Sequence, residues 1–184
     1  MSASPNIKHQ PSDVATADIV LATLNARYIH TAFGLRYLHA NLGALAERCQ
    51  IQEFTTQTRP LVVAEAILAA SPRIVGLGVY IWNTTETLAV VKLLNALDPG
   101  LIVVLGGPEI SFETTTQPLF VLADPVIIGE GETAFAGLCA DLLDPAPQRP
   151  GKLIQGGLPS TSTLVLPYDR YTDADIADRV IYVE

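Results

Sequence analysis

Short apolar runs alternate with helical patterns along the first 143 residues, and this alternation constrains the fold more than any other feature. Runs that are apolar at every position predict strands covered on both faces, whereas a repeat of three to four residues predicts helices. The predicted strands are Asp18 to Thr23, Gln50 to Thr55, Arg73 to Tyr80, "LIVVLGG" and "PVIIG". The predicted helices are Thr31 to Arg48, a helix opened by Pro60, one after the capping-box pattern Asn83/Glu86, a short one near Thr114 to Leu122, and Glu132 to Leu143.

Helical crossovers between buried strands require those strands to run parallel. The sequence therefore predicts an α/β domain over residues 18–143, with a doubly wound, mostly parallel five-stranded sheet of the flavodoxin-like or Rossmann-like type. Residues 1–17 are polar and predict a flexible lead-in. Residues 144–184 are rich in Pro, Gly and Ser and predict an arm, with a small strand at Lys152 to Gln155 and a last strand in "RVIYVE".

Composition excludes several classes of protein. The net charge of −8 disfavours binding to a nucleic-acid backbone, which needs clustered Lys and Arg. No apolar run approaches a membrane span, and residues 1–13 lack the apolar core of a signal peptide, so we expect a cytoplasmic protein. Cys49 and Cys139 both fall in helical patterns without metal-ligand spacing, which predicts buried thiols far apart and no iron–sulfur cluster on this chain.

The most unusual residues follow the predicted strands. Ligands of open parallel sheets bind beyond the carboxyl ends of the strands, near the point where strand order reverses. Glycines there let a flat ligand approach the backbone, and aromatic side chains supply walls. The candidate binding residues are Asn25, Arg27, Tyr28 and His30 after the first strand; Gly78, Tyr80, Ile81, Trp82, Asn83 and Thr84 after the third; Gly106, Gly107, Pro108 and Glu109 after the fourth; and Gly129, Glu130 and Gly131 after the fifth.

Several familiar sites do not fit these turns. "GEGETA" matches a dinucleotide-binding pattern, but it follows the fifth strand, and its Glu130 and Glu132 would repel a pyrophosphate. A phosphate-accepting receiver needs acids where Asn25 and Tyr80 stand. The chain also lacks a GxxxxGK[ST] loop and a G-x-S-x-G elbow, so the sequence predicts neither NTP hydrolysis nor a serine nucleophile.

Three segments together resemble the cobalamin-binding domain at the N-terminus of many radical SAM enzymes. They are "IVGLGVYIWN", "VVLGGPEISFE" and "DPVIIGEGETAFAGL", and the resemblance covers about Asp18 to Leu143. It implies a corrin lying across the carboxyl edge of the sheet. It also implies that "YDRY…RVIYVE" leads toward a radical SAM domain of the same protein, which would carry a [4Fe-4S] cluster and S-adenosylmethionine.

Related domains carry a D-x-H-x-x-G turn whose histidine ligates cobalt. The resemblance aligns His30 with that histidine, but Tyr28 replaces the aspartate that orients it and the glycine comes one residue late. Gly78 and Tyr80 likewise replace the serine and leucine of an S-x-L segment. We therefore expect His30 to line the pocket without firmly ligating cobalt, while Thr31 caps the first helix.

Three hypotheses follow from these observations. The first is a cobalamin-binding module, not itself a catalyst, in a radical SAM enzyme that carries out methyl transfer or radical chemistry. The second is a degenerate module that keeps the fold and serves as a docking or substrate-positioning domain without cofactor. The third is a free-standing flavodoxin-like enzyme or nucleotide binder.

Overall fold

The computed structural model describes residues 15–26, 30–147 and 150–183, where one parallel sheet carries helices on both faces. The strands are β1 (Ile19–Asn25), β2 (Cys49–Thr55), β3 (Ile74–Gly78), β4 (Ile102–Gly106), β5 (Val126–Ile128) and β6 (Leu153–Gln155). The helices are α1 (Phe33–Ala40), α2 (Pro60–Ala69), α3 (Thr84–Leu97), α4 (Pro118–Leu122), α5 (Glu132–Leu143) and α6 (Asp173–Asp178). The 3₁₀ turns are Gly43–Arg48, Thr114–Thr116 and Tyr168–Arg170.

The sheet has the order β2-β1-β3-β4-β5-β6, and every pair of neighbouring strands is parallel. The α/β class and the parallel sheet are confirmed, but the predicted number of five strands is wrong. The sixth strand pairs Ile154 with Ile127 at the edge of the sheet, outside residues 18–143. Strand order reverses between β1 and β3, which places the crevice expected for a ligand at their carboxyl ends.

Two apolar layers cover the sheet. Helices α2, α3 and α4 pack on one face, where Val20, Val75 and Leu105 are fully buried. Helices α1 and α5 pack on the other face, where Ile19, Leu21 and Ile74 are fully buried. Successive residues of a strand point to opposite faces, so an all-apolar strand serves both layers at once.

The first predicted helix, Thr31 to Arg48, is shorter than expected. Helix α1 begins at Phe33 and ends at Ala40, and Gly43 then adopts a left-handed φ of 57°, which no continuing α-helix allows. A 3₁₀ turn completes the segment. The proposed cap is also wrong, because the N-cap of α1 is Ala32, whose methyl side chain cannot accept a hydrogen bond, while the Thr31 hydroxyl donates to the carbonyl of Val180.

The two thiols are buried and free, as predicted, but not far apart on separate helices. Cys49 begins β2, and it shares the apolar layer under α1 and α5 with Cys139. Burial raises the pKa of Cys49 to about 12. Burial, and to a smaller degree the neighbouring Cys49, also raises the pKa of Cys139. Both are therefore packing residues in the protonated state at neutral pH.

The arm after α5 does not end in the predicted strand. Within "RVIYVE", the described residues form one isolated bridge, in which Val180 pairs with His30. The short helix α6 precedes it, and Thr172 and Asp175 form a complete capping box there that the sequence reading missed. None of the helices in the described ranges is long and apolar enough to cross a membrane.

Candidate functional site

Three glycines of the central strands remove side chains from one face of the sheet. Gly76 and Gly78 alternate along β3 and share the α1/α5 face, because Cβ atoms added to them would meet Leu21 and Thr23 of β1 on that side. Gly106 of β4 pairs in register with Gly78. The two strands therefore present bare backbone to α1 and α5 near their carboxyl ends, and we name this surface the glycine trough.

A cleft of about 390 Å³ lies over the glycine trough. Its walls are apolar side chains of the covering helices, Leu35 and Leu38 from α1 and Phe135 from α5. Gly106 leaves the most room, because a Cβ added there would come no closer than 3.7 Å to any other atom, the carbonyl oxygen of Ile127. The cleft is a preformed, mostly apolar groove of the kind that binds a flat ligand.

Two further glycines shape the rim of the cleft by their backbone conformation. Gly107 has a φ of 113°, and a Cβ there would lie 2.5 Å from the carbonyl oxygen of Val79. Gly129 has a φ of 79°, and its Cβ would lie 3.1 Å from the carbonyl oxygen of Gly156. Both conformations are strained for any residue with a side chain, so these glycines are required by the turns themselves.

Tyr80 closes part of the mouth of the cleft. Its ring stacks on Trp82, with centroids 4.7 Å apart and planes 6° apart. A Cβ on Gly78 would lie 3.2 Å from that ring, and one on Gly34 of α1 would lie 3.4 Å from the phenol oxygen. The ring therefore reaches from β3 toward α1. Burial raises the pKa of Tyr80, which keeps the phenol neutral at physiological pH.

Asn83 holds the β3–α3 turn and does not face the cleft. It is fully buried, and its amide nitrogen donates to the carbonyls of Leu24 (3.1 Å) and Gly78 (3.1 Å). Its oxygen accepts from the backbone N–H of Tyr80 at 2.9 Å, so the predicted capping box with Glu86 is wrong. Thr84 similarly bonds the Tyr80 carbonyl with its hydroxyl. Both side chains fix the Tyr80–Trp82 stack in place.

His30 and Asn25 lie in a second place, at the end of β1. The imidazole of His30 packs on Tyr182 of the C-terminal arm, with ring centroids 5.3 Å apart. Its Nδ1 is buried and has no hydrogen-bond partner among the described residues. The amide of Asn25 donates to the His30 carbonyl (2.9 Å) and to Glu53 (3.1 Å). The other two residues predicted in this turn, Arg27 and Tyr28, lie outside the described residues.

The structure gathers about half of the predicted binding residues around one cleft. Those that line it are Gly78, Tyr80, Gly106, Gly107, Pro108, Gly129, Glu130 and Gly131. Those that lie elsewhere are Asn25, His30, Ile81, Trp82, Asn83, Thr84 and Glu109. Ile81 and Trp82 remain exposed at the carboxyl edge, beyond the mouth.

Sequence reasoning missed the inner part of the cleft. Leu35, Leu38 and Phe135 fall within predicted helices, Gly34 is the late glycine of the turn aligned with the D-x-H-x-x-G motif, and Gly76 falls within a predicted strand; none of them was predicted to bind a ligand. Two glycines at alternate positions of a buried strand, as in "GLG", are a signal that could have found Gly76. Glu132 also lines the cleft, and its Oε2 is buried without a partner in the described ranges. No cluster of three or more His, Cys, Asp or Glu side chains suited to a metal ion occurs within the described part of the chain.

Comparison with known proteins shows the family of the chain. The sequence model of a family described as "B12 binding domain" matches residues 19–139, more than half of the chain. The chain is 34% identical over 77 residues to 2-(S-pantetheinyl)-carbapenam-3-carboxylate methyltransferase of Streptantibioticus cattleyicolor. That match covers 39% of this chain and 11% of the length of the curated relative.

Two solved structures superpose on part of this chain. A cobalamin-binding protein from Desulfitobacterium hafniense DCB-2 superposes with a TM-score of 0.52 at 21% identity, over 70% of this chain and 59% of that one. A CheY-like protein (tadZ) from Pseudomonas aeruginosa PAO1 gives a TM-score of 0.46 at 17% identity, over 72% and 96% of the two chains. The first of these likenesses shows the fold, and the sequence model shows the family.

Proposed function

The chain belongs to the B12 binding domain family, and we propose that it is the cobalamin-holding module of a radical SAM enzyme. The family establishes a cobalamin-binding domain. The position of the cofactor in the glycine trough, the radical SAM partner domain and the reaction are our proposals.

The glycine trough carries this proposal. A cofactor with a broad, flat ring and a nucleotide tail needs a groove whose floor carries few side chains. Side chains fill the space beside two of the three glycines, because a Cβ on Gly76 would lie 2.9 Å from Leu21 and 3.0 Å from Phe135, and one on Gly78 would lie 3.2 Å from Tyr80. The side chain missing from Gly106 leaves open space rather than being replaced by a neighbouring side chain. The residues present therefore fit the cofactor that the family implies.

We assign the parts of the site as follows. The trough, with Leu38 and Phe135 as walls, holds the nucleotide tail, and the Tyr80–Trp82 stack supports the ring at the mouth. Apolar walls exclude water from the bound cofactor. Bound cobalamin supplies a cobalt centre that carries a methyl group or assists radical chemistry.

The proposed partner is a C-terminal radical SAM domain that carries a [4Fe-4S] cluster and S-adenosylmethionine. Support comes from the ordered motifs "GGPE" and "GEGE" and from the methyltransferase name of one relative. The described thiols are buried and protonated, so we assign the cluster to the partner domain. Free buried thiols also support the cytoplasm as the compartment.

Titration with hydroxocobalamin tests the proposal. Trp82 is the single tryptophan, and its emission overlaps corrin absorption, so binding should quench its fluorescence in proportion to occupancy. A red protein that retains the cofactor through gel filtration is the expected result. A folded chain that neither quenches nor retains cofactor would contradict cobalamin binding and favour the degenerate docking module, for which the observed support is the Tyr80 ring across the mouth. The radical SAM partner is tested separately, by sequencing the rest of the gene for a CxxxCxxC motif, the three-cysteine motif that binds the [4Fe-4S] cluster of radical SAM enzymes, and by anaerobic reconstitution of its product; a gene without that motif would contradict the partner.

A further inference from the structure

Residues 172–183 fold back onto the end of β1, and we name this segment the strap. Its helix α6 places Asp175 and Arg179 one turn apart, facing Arg36 of α1 and Glu53 of β2. Its last residues then run beside the turn that contains His30 and Thr31. The strap thus joins the far end of the chain to the turn that leads from β1 toward α1.

Four charged side chains hold the strap. Arg36 pairs with Glu53 and Asp175, each at 2.9 Å, and Arg179 pairs with the same two carboxylates at 2.5 and 3.1 Å. The exposed fractions of the side chains are 4% for Arg36, 5% for Glu53, 11% for Asp175 and 21% for Arg179. Two cations and two anions balance, so none of the four is buried without an opposite charge.

The network is ionised at neutral pH. Burial acts against the charge on Glu53, but hydrogen bonds from Arg36 and from the backbone N–H of Ala32 outweigh it and lower the pKa of Glu53. Burial acts against Asp175 too, but the Thr172 backbone, Arg36 and Arg179 outweigh it and lower the pKa of Asp175 well below its usual range.

The strap also fixes His30 directly. The Thr31 backbone N–H and hydroxyl both donate to the Val180 carbonyl, at 3.0 and 3.2 Å. Tyr182 packs against the His30 imidazole, whose Nδ1 is buried without a partner among the described residues. Asn25 links the two parts, since its amide donates to Glu53 and to the His30 carbonyl. Release of the ion network would therefore loosen the contacts around His30.

We propose that the strap is a positioning device: Tyr182, held by the Arg36–Glu53–Asp175–Arg179 network, keeps His30 away from the cleft, so that cobalamin binds without histidine on cobalt until the strap is displaced. The cofactor part of this inference rests on the proposed function. An imidazole nitrogen that is buried without a hydrogen bond is available as a ligand once the ring turns. His30 itself is absent from the residues that line the cleft.

Two features of the strap favour its release from β1. Helix α6 has six residues, too few to be stable alone in water, so it depends on its contacts with α1 and β2. The outward side of the strap is largely apolar, with Ile176, Val180, Tyr182 and Val183 at least half exposed. Tyr182 contacts His30 with one part of its ring and solvent with the rest.

Two variants weaken the hold of the strap on His30 and leave both carboxylates of the network paired with Arg36. Arg179→Gln removes two ion contacts while Arg36 still pairs both carboxylates. Tyr182→Ala removes the ring beside His30 and leaves the network intact. Arg48→Gln, at an exposed pair with Asp18, and Val183→Ala, at an exposed position of the strap, are the matched controls. Circular dichroism checks that each protein is folded.

Exposure of His30 is measured first, without cofactor. Diethylpyrocarbonate modification is read for each histidine by peptide mass. The rate at His30 should be roughly tenfold higher in the double variant Arg179→Gln/Tyr182→Ala than in wild type, because the loss of one charge-assisted hydrogen bond changes an equilibrium by about that factor. The rate at His30 should change little in the two control variants. Equal rates at His30 in wild type and the double variant overturn the shielding by the strap.

The ligand state is measured second, by EPR of bound cob(II)alamin in ¹⁵N-histidine protein. Wild type should show no ¹⁵N doublet, and the double variant should show one that His30→Ala removes. A doublet in wild type, or none in a loaded double variant, overturns the inference while cobalamin binding stands. If no variant retains cobalamin, the proposed function fails and the ligand claim with it, whereas the modification rates still decide whether the strap covers His30.

Discussion

Filling the glycine trough is the sharpest perturbation that the structure offers, and Gly106→Val does it. Gly106 is the last residue of β4, its backbone lies outside the left-handed region, and an added Cβ meets its nearest neighbour at an ordinary 3.7 Å. The fold should therefore accept valine. Its two methyl groups would point into the space that we assign to the nucleotide tail.

The expected effects on folding and on binding have opposite signs. Replacing glycine with valine reduces the conformational entropy of the unfolded chain, and valine suits a strand. The free energy of unfolding should therefore stay equal or rise by up to about 1 kcal/mol. Overpacking a preformed groove costs about 1–3 kcal/mol, which raises the Kd for hydroxocobalamin roughly 5- to 150-fold. Quenching of Trp82 fluorescence gives the Kd, and thermal unfolding gives the stability.

Two further glycine variants separate these effects. Gly137→Val adds the same side chain in open space on α5, outside the cleft, and should leave the Kd unchanged. Gly107→Ala places a Cβ 2.5 Å from the Val79 carbonyl at a φ of 113°, so it should destabilise the fold by about 1–3 kcal/mol or more, and lower Tm by about 2–4 °C for each kcal/mol. A folded Gly106→Val protein that binds as tightly as wild type would refute the placement of the tail in the trough.

Three other predictions concern Glu53 of the ion network, Asn83 of the β3–α3 turn and the buried thiol of Cys49. Glu53→Gln leaves Arg36 and Arg179 with one carboxylate between them. The free energy of unfolding at pH 7, measured by urea unfolding, should fall by about 3–5 kcal/mol. Because the folded-state pKa of Glu53 is lowered, the stabilisation from its carboxylate is fully present above the unfolded pKa and is lost as the pH falls through the folded pKa. Wild type should therefore lose stability as the solution is acidified below the ordinary pKa of a glutamate, and Glu53→Gln should lose less, so equal losses would contradict the network. Asn83→Leu leaves the Tyr80 N–H and the Leu24 carbonyl without this partner, while Thr23 still donates to the Gly78 carbonyl. The free energy of unfolding should fall by about 2–3 kcal/mol in urea unfolding, and an unchanged value would contradict the role of Asn83 in the turn. Cys49, with a pKa raised to about 12, should react with a disulfide reagent at pH 8 only after unfolding, and rapid reaction in the native state would contradict its burial.

The sheet and its ligand-binding edge could be predicted because both depend on local patterns. An apolar run of five residues between helical patterns specifies a buried parallel strand wherever it occurs. The glycines at the ends of β3 and β4 then follow from their places in those strands. Strand β6 lies within the small strand predicted at Lys152 to Gln155, but its place in the sheet was not predicted, since the pairing of a three-residue edge strand with β5 depends on the preceding arm.

The inner cleft was missed for a geometric reason. Gly76 lies in the middle of β3, where a glycine alone signals weak strand propensity, and its meaning depends on Gly106 of the neighbouring strand. Leu38 and Phe135 have the spacing of core residues on helices that do cover a core. Only the three-dimensional pairing of bare backbone with those two helices shows that the space between them is open.

The strap depends on contacts that no local pattern contains. Arg36 meets Glu53 across 17 positions and Asp175 across 139, and Arg179 meets Glu53 across 126. Taken singly, each of these charges reads as a solvated surface residue, because an isolated buried charge is too costly to expect. Burial becomes favourable only when all four meet, so the network is a property of the folded arrangement. The same holds for His30, whose alignment with a metal-binding motif is local, while the ring that packs against it comes from Tyr182, 152 residues farther along the chain. A histidine in such a turn is therefore identified as ligand or non-ligand by its distant neighbours, and the variants of the strap measure which of the two it is.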